Sequence, residues 1–135
     1  MQKQILNEEN AVKEVLQILR NKLNYQWDNI HFLNRNRYCV VTGEPTVAIL
    51  LKREPFYTFG KKFRDMGAKG VGDTINTKHL KEFVQYKVEI IYTIFPDGKL
   101  YSISLQDFLL NSYSWVQKEG TSVRSCSIHL FKRVN

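Results

Sequence analysis

The chain has 135 residues, of which 43% are hydrophobic and 13% aromatic, so a largely disordered protein is excluded and one domain with a substantial core is expected. Its 20 Lys and Arg residues against 13 Asp and Glu residues give a formal net charge of +7. This charge favours an acidic partner, either nucleic acid or an anionic membrane surface, over the alternative that it only aids solubility. Because no apolar run approaches the roughly 18 residues of a membrane-spanning helix, we expect no membrane partner.

The first predicted element is a helix over residues 8–24. Two acidic residues in its first turn, Glu8 and Glu9, lie where the helix dipole favours negative charge. Its apolar positions recur at the spacing of one helical face, which predicts that this face packs on the core; they are Val12, Val15, Leu16, Leu19 and Leu23.

Three strands are predicted next. Residues 29–33 and 37–42 flank a turn at 34–36, and a second turn at 43–45 precedes a central strand over residues 46–53. Residues 54–72 contain four glycines and a basic run, and are compatible with a short helix or a loop. A second helix is predicted to begin between residues 73 and 77 and to continue to about residue 87, with inward-facing Ile75, Leu80, Phe83 and Val84.

The strongest pattern is a hairpin over residues 88–105. Residues 88–95 are rich in β-branched and aromatic side chains, and residues 99–105 alternate like a strand with one wetter face. Between them, Pro96-Asp97-Gly98 is a turn sequence, because Pro fixes φ, Asp bonds its own backbone and Gly accepts a positive φ. A third helix over residues 106–113 and a last strand over residues 122–133 complete the prediction.

These elements predict an α/β fold in a single domain over residues 1–135. The order α-β-β-β-α-β-β-α-β places helices around one mixed β-sheet. The two strands of the hairpin are expected to be antiparallel, because only a short turn separates them.

Histidine and cysteine give no clear site. His31, His79 and His129 have no metal-ligand spacing and are interpreted as structural or surface residues. Cys39 and Cys126 lie in apolar, strand-like segments, which predicts buried free thiols in a reducing compartment. The N-terminal residues lack a signal-peptide core, so a cytoplasmic protein is expected, or one inside the host cell if it is virus-encoded.

Basic and aromatic residues are interleaved between residues 52 and 69. Lys and Arg bind backbone phosphates, and exposed aromatic rings stack on bases. The alternative is a solvated loop whose aromatic side chains face the core. Because the overall charge favours the first interpretation, the predicted nucleic-acid-binding residues are Arg53, Lys61, Lys62, Arg64 and Lys69.

Five acidic residues are candidates for hydrolytic chemistry: Glu8, Glu9, Glu44, Glu54 and Asp73. Phosphodiester cleavage with a divalent ion uses two or more neighbouring carboxylates, together with a Lys that assists the attacking water or stabilises charge. If the strand over residues 46–53 continues regularly, Glu44 before it, Lys52 near its end and Glu54 beyond it converge on one sheet edge. Otherwise each acidic residue is a surface residue.

The order of elements over residues 8–95 resembles that of the restriction-endonuclease-like (PD-(D/E)XK) nuclease superfamily, including its small archaeal, viral and Holliday-junction-resolvase-like members. The shared features are the opening helix with Glu8 and Glu9, the strands with Glu44 and Lys52, the helix near residues 75–87 and the strand over residues 88–95. In this chain Glu44 replaces the Asp of the family, and Leu50 stands where the family has an acid two residues before the Lys. The resemblance therefore implies a divergent or inactive member.

The resulting hypothesis is a nucleic-acid-binding protein, and its more specific form is a divergent metal-dependent nuclease. The candidate catalytic residues are Glu44, Lys52, Glu54 and Glu9. Mg²⁺ or Mn²⁺ would be held by Glu44 with Glu54 or Glu9, or with Glu8. The alternatives are a non-enzymatic DNA- or RNA-binding protein, with no cofactor, and a protein-interaction module that forms a homodimer through an open sheet edge.

Overall fold

A computed structural model of the protein describes residues 8–33, 38–52 and 72–135. The fold is α/β, with helices flanking a mixed β-sheet. Its elements in chain order are α1 (Glu8–Leu23), β1 (Trp27–Leu33), β2 (Tyr38–Gly43), β3 (Val47–Leu51), β4 (Gly72–Asn76), α2 (Thr77–Gln85), β5 (Ile90–Ile94), β6 (Leu100–Ser104), α3 (Leu105–Asn111), β7 (Ser112–Val116), β8 (Ser122–Ser127), a 3-10 turn (Ile128–Leu130) and β9 (Lys132–Arg133).

The strands form two sheets. The larger has six strands in the order β1-β2-β3-β5-β6-β9, and the smaller has three in the order β4-β8-β7. Strands β3 and β5 run parallel, whereas every other described pair is antiparallel. The predicted central position of β3 is confirmed, because it lies between β2 and β5.

One face of the large sheet is covered by α1. The apolar stripe predicted from the sequence is buried at Val12, Val15, Leu16 and Leu19, whereas Leu23 at the last turn is exposed. The stripe packs against the side chains of β2, β3, β5 and β6 that point to this face: Cys39, Val41, Val47, Ile49, Tyr92, Ile94 and Leu100.

The opposite face is covered by α2, α3 and the small sheet. Alternate residues of the same strands point this way, including Tyr38, Val40, Ala48, Leu50 and Ile91. They meet side chains from the covering elements, namely Ile75, Leu80, Phe83, Leu105, Phe108 and Cys126. Strands that are buried on both faces have nearly continuous apolar sequences, as β2 and β3 do here.

The hairpin between β5 and β6 forms as predicted. Gly98 adopts a φ of 88°, and its N–H donates to the carbonyl oxygen of Phe95 at 2.9 Å. The Asp97 carboxylate accepts a hydrogen bond from the Lys99 N–H at 3.1 Å. Turn chemistry therefore sets the register of this pair, in which Ile91 lies opposite Ile103.

The sequence prediction was wrong at several elements. Residues 72–76 form β4, a strand that was not predicted. Helix α2 begins at Thr77, within the predicted range, and the Asn76 side chain caps it by accepting from the Lys78 N–H at 2.8 Å. Strand β7 was not predicted, and the last predicted strand is divided by a 3-10 turn into β8 and β9. Val84, predicted to face inward, is 55% exposed. Apart from Gly72, residues 54–72 lie outside the described residues.

Both cysteines are buried and free, as expected. Burial raises the pKa of the Cys39 thiol to about 12, so this thiol stays protonated at neutral pH. Among the helices of the described ranges, none is both long enough and apolar enough to cross a membrane.

We expect Ile91→Ala to lower the free energy of unfolding by about 2–5 kcal/mol, because the side chain is 0% exposed and its loss leaves a cavity. Urea unfolding measures this change. Leu110→Ala, at a position that is 72% exposed, is the control and should change stability by less than about 0.5 kcal/mol. An unchanged midpoint for Ile91→Ala would contradict this assignment of the core.

Candidate functional site

Lys52 follows the carboxyl end of β3. Its N–H donates to the carbonyl oxygen of Ile94 at 2.9 Å, so the pairing with β5 continues one residue beyond the strand. The half-buried side chain points to the face covered by the small sheet, because its Nζ donates to the carbonyl oxygen of Thr74 in β4 at 3.3 Å. Lys52 therefore joins the two sheets at this end of the molecule.

Glu44 lies at the other end of β3. It is exposed in the turn between β2 and β3, which is closed by the Thr46 hydroxyl donating to the carbonyl oxygen of Gly43 at 3.1 Å. A five-residue strand such as β3 spans roughly 16 Å. The structure therefore does not bring Glu44 and Lys52 to one sheet edge, and it separates the predicted metal ligand Glu44 from the Lys that was predicted to assist the attacking water.

The other predicted site residues are not placed by the structure. Glu9 belongs to the first turn of α1, and its side chain is outside the described part, like that of Glu8. The following predicted residues also lie outside the described ranges: Arg53, Glu54, Lys61, Lys62, Arg64 and Lys69. Among the residues that are described, no group of three or more His, Cys, Asp or Glu side chains could hold a metal ion.

A cluster of polar side chains surrounds Tyr38 at the Lys52 end of the sheet. The Tyr38 hydroxyl donates to Glu82 Oε1 at 2.8 Å. The centroid of the Tyr38 ring lies 4.2 Å from that of the His79 ring. The ring of Phe83 contacts it edge-on at 5.7 Å. These three partners share one face of α2, because residues at i, i+3 and i+4 of a helix lie together. Tyr38 thereby attaches α2 to β2.

The electrostatics of this cluster keep Tyr38 protonated. Burial raises the pKa of Tyr38, and the hydrogen bond to the Glu82 carboxylate raises it further. The phenol is therefore a hydrogen-bond donor at neutral pH. It orients the Glu82 carboxylate rather than acting as a base.

The surroundings of His79 favour its neutral form. Burial lowers its pKa below the usual 6.5; the Glu82 carboxylate opposes this shift, and the charges of Lys78 and Lys52 add to it. Lys52 is a neighbour because Tyr38 pairs with Leu50, and Lys52 follows on the same face two residues later. We call Lys52, Tyr38, Lys78, His79 and Glu82 the Tyr38 cluster.

A chain of hydrogen bonds runs from this cluster through the small sheet. The buried hydroxyls of Thr74 and Ser125 are 2.6 Å apart, and Trp115 Nε1 donates to Ser125 Oγ at 2.8 Å. Each of the three strands of the small sheet contributes one member. Since the Thr74 carbonyl oxygen accepts from Lys52, the chain connects the side chains of β4, β8 and β7 to the end of β3.

Most of the positive charge of the sequence lies outside the described ranges. The described ranges contain 12 of the 20 basic residues and 11 of the 13 acidic residues, so their formal net charge is +1. The remaining +6 of the total +7 belongs to residues 1–7, 34–37 and 53–71. Residues 34–37 connect Leu33 and Tyr38, which are paired across β1 and β2. Residues 53–71 follow Lys52 and precede Gly72, in the strand that Lys52 contacts. Both segments therefore join the fold at this end of the sheet.

Sequence reasoning missed Tyr38, His79 and Glu82 as members of one site. The spacing of His79 and Glu82 was visible as i, i+3 on a predicted helix, but an apolar face at the same spacing explained that helix without them. Tyr38 is separated from Glu82 by 44 positions in the chain, and its strand position is that of an ordinary core residue.

Comparison with family models, with curated proteins and with solved structures found no match for this chain.

The lowered pKa of His79 predicts that the fold is sensitive to acid. The folded state disfavours the imidazolium, so below about pH 6.5 the unfolded state binds the proton first. The contribution of neutral His79 to the free energy of unfolding is therefore fully present above that pH, and it is lost as the pH falls through the folded-state pKa of His79.

The check is urea unfolding at about pH 7.5 and about pH 5 for the wild type and His79→Phe. The Phe ring still packs on Tyr38 but cannot titrate, so the variant should lose less stability between the two pH values. An equal loss in both proteins would assign the acid sensitivity to other groups.

Proposed function

We propose that this protein binds nucleic acid, mainly through backbone phosphates, at the end of the large sheet that carries the Tyr38 cluster. The observation that carries the proposal is the distribution of charge. The described fold is nearly neutral, whereas the two basic segments at residues 34–37 and 53–71 both join it at this end.

The composition of residues 53–71 supports a polynucleotide over other acidic partners. The segment combines five basic residues with Phe56, Tyr57, Phe59 and Phe63. Lys and Arg neutralise successive phosphates and release counterions, while aromatic rings supply sequence-tolerant stacking on bases. An acidic protein partner would use the same cations but would not need the rings to be so closely interleaved with them.

The described residues add two further cations at this end. Lys78 is exposed in the first turn of α2, and Lys52 is half-buried beneath the point where residues 53–71 begin. Strands β3 and β5 also end here in parallel, and the carboxyl ends of parallel strands are a common position for ligand sites.

A cytoplasmic location is part of the same proposal. A homodimer through an open sheet edge stays a separate prediction; among the described strands, β1 is one edge of the large sheet.

We expect affinity for DNA or RNA oligonucleotides to fall about 10- to 100-fold between roughly 50 and 200 mM salt, as release of counterions from two to four phosphates requires. Fluorescence anisotropy with single- and double-stranded probes measures this dependence. Replacing Lys61, Lys62 and Arg64 together by Ala should weaken binding and flatten the salt dependence.

The matched control replaces three exposed lysines on other elements, Lys13, Lys22 and Lys118, by Ala, which removes the same formal charge. If both triple variants weaken binding equally, net charge rather than this surface attracts the ligand. Absence of binding at low salt would overturn the proposal and favour the protein-interaction alternative.

Cleavage is a separate question, which incubation of DNA and RNA with Mg²⁺ or Mn²⁺ answers. Because Glu44 and Lys52 lie at opposite ends of β3, we expect Glu44→Gln to leave the rate of any metal-dependent cleavage unchanged. A loss of cleavage with retained binding in Glu44→Gln would return Glu44 to the mechanism. Tight binding without cleavage across linear, supercoiled and branched substrates would favour the non-enzymatic alternative.

A further inference from the structure

We propose that the exposed row of Lys78, Lys81 and Gln85 on α2 is a second contact surface for the phosphate backbone of a nucleic acid. We call this row the α2 face. Its ligand is a nucleic acid on the strength of the proposed function. The position of the contact, on the α2 side of the large sheet and not on the α1 side, goes beyond that function.

The α2 face is continuous along the helix. Lys78 and Lys81 are related as i, i+3, and Lys81 and Gln85 as i, i+4, so the three residues lie in one row. All three are exposed. The row covers roughly 10 Å of the helix axis, and one strand of B-form DNA carries a phosphate about every 3.4 Å along its own axis. The row is therefore long enough to follow successive phosphates of one strand.

The charge of α2 distinguishes it from the other two helices. Helix α1 contains three basic and three acidic residues, and α3 contains one acidic residue, Asp107, and no basic residue. In α2, two lysines stand against one acidic residue, Glu82. Among the helices of the described ranges, α2 is therefore the one with a positive formal charge.

The acidic residue of α2 is bound to the sheet. Its carboxylate accepts the hydrogen bond from the Tyr38 hydroxyl in β2 at 2.8 Å. Lys78 lies one turn before Glu82, at i, i+4, but neither Lys78 nor Lys81 forms an ion pair with a described residue. A phosphate can therefore approach either ammonium group without displacing an ion pair among these residues.

The strands that pack against α2 are β4 and β8. Strand β8 contributes one charged residue, Arg124, whose positive charge has the same sign as that of the α2 face. Strand β4 contributes Asp73, whose side chain lies outside the described part of the structure. In the described surroundings, β8 thus adds to the positive charge of α2 and does not cancel it.

Contacts at both ends hold α2 in place. At its start, the hydroxyls of Thr77 and Ser122 are 3.1 Å apart. Just after its last turn, the ring of Tyr86 packs on that of His31 at 5.3 Å. Because the backbone is fixed, binding a phosphate costs only the ordering of lysine side chains, and the helix does not have to be repositioned.

An anionic membrane surface is the alternative ligand for exposed lysines. Helices that lie in a membrane interface insert several large apolar side chains beside their basic residues. In α2, which is wholly within the described residues, Leu80 and Phe83 are buried in the core, and the large exposed apolar side chain is that of Val84. The α2 face therefore fits a phosphate backbone better than a lipid bilayer.

Lysine footprinting tests where the nucleic acid lies. The full chain is acetylated briefly with and without a DNA oligonucleotide, and mass spectrometry measures the modification of each lysine. We expect the oligonucleotide to reduce acetylation of Lys78 and Lys81. Lys13 and Lys22 of α1, which are also exposed but belong to the opposite side of the large sheet, should be modified as in the free protein.

Two double variants measure the contribution of the α2 face. Lys78→Ala with Lys81→Ala should weaken binding and reduce the slope of log Kd against log salt by about 1.4 for single strands and about 1.8 for duplexes, because two phosphate contacts are lost. Lys13→Ala with Lys22→Ala removes the same charge from α1 and should keep the wild-type slope. Ala is the best helix former, so both variants should fold, which circular dichroism checks.

The outcomes separate this proposal from the proposed function. If oligonucleotides bind but the two double variants behave alike, and Lys78 and Lys81 are not protected, the α2 face is overturned while nucleic-acid binding stands. If no oligonucleotide binds at low salt, the proposed function is overturned and the ligand assigned to the α2 face with it. Binding to vesicles of anionic lipid that is lost in the α2 variant, without binding of oligonucleotides, would overturn the proposal in favour of a membrane surface.

Discussion

The architecture depends on the burial of β2, β3 and β5 on both faces. Consecutive residues such as Val40 and Val41 are both fully buried although they point in opposite directions. Each face must therefore be covered, and one helix cannot cover both. The chain places α1 on one face, and α2, α3 and the small sheet on the other. Removal of either layer would expose half of the apolar side chains of the central strands to water.

The parallel pairing of β3 with β5 determines where the polar cluster forms. Parallel neighbours require a crossover, and here the crossover contains β4 and α2 between Lys52 and Glu89. The return path brings α2 to the start of β2, where His79 and Glu82 contact Tyr38. A hydrogen-bonded polar cluster is thus built at the margin of an apolar layer: Tyr38 is buried, whereas Lys52, His79 and Glu82 are half-buried and Lys78 is exposed. The basic segments leave the fold at this margin.

Elements with local chemical signals could be predicted from the sequence. The β5–β6 hairpin is specified by Pro96-Asp97-Gly98, and α1 by the spacing of its apolar stripe. In contrast, β4 has the sequence GDTIN, whose Gly, Asp and Asn are poor strand formers, and it becomes a strand by pairing with β8. Strand β7 follows α3 with no turn signal between Asn111 and Ser112.

The candidate site was less predictable because its members come together through tertiary structure. Glu44 and Lys52 are close in the sequence, but the extended strand between them separates them. Tyr38 and Glu82 are far apart in the sequence, but the crossover makes them neighbours. The charge of the 53–71 segment was visible in the sequence. The end of the sheet at which this segment joins the fold could be located only from the strand order.

The position of the Trp115 indole makes its fluorescence a reporter of one end of the molecule. Of the two tryptophans, Trp27 lies at the start of β1, opposite Gly43 and therefore at the Glu44 end of the sheet. Trp115 is linked through Ser125 and Thr74 to the Lys52 end. In a variant that retains only Trp115, the intrinsic fluorescence would therefore come from an indole that is hydrogen-bonded at the Lys52 end of the sheet. Its emission would change when β4 is displaced, without an attached dye.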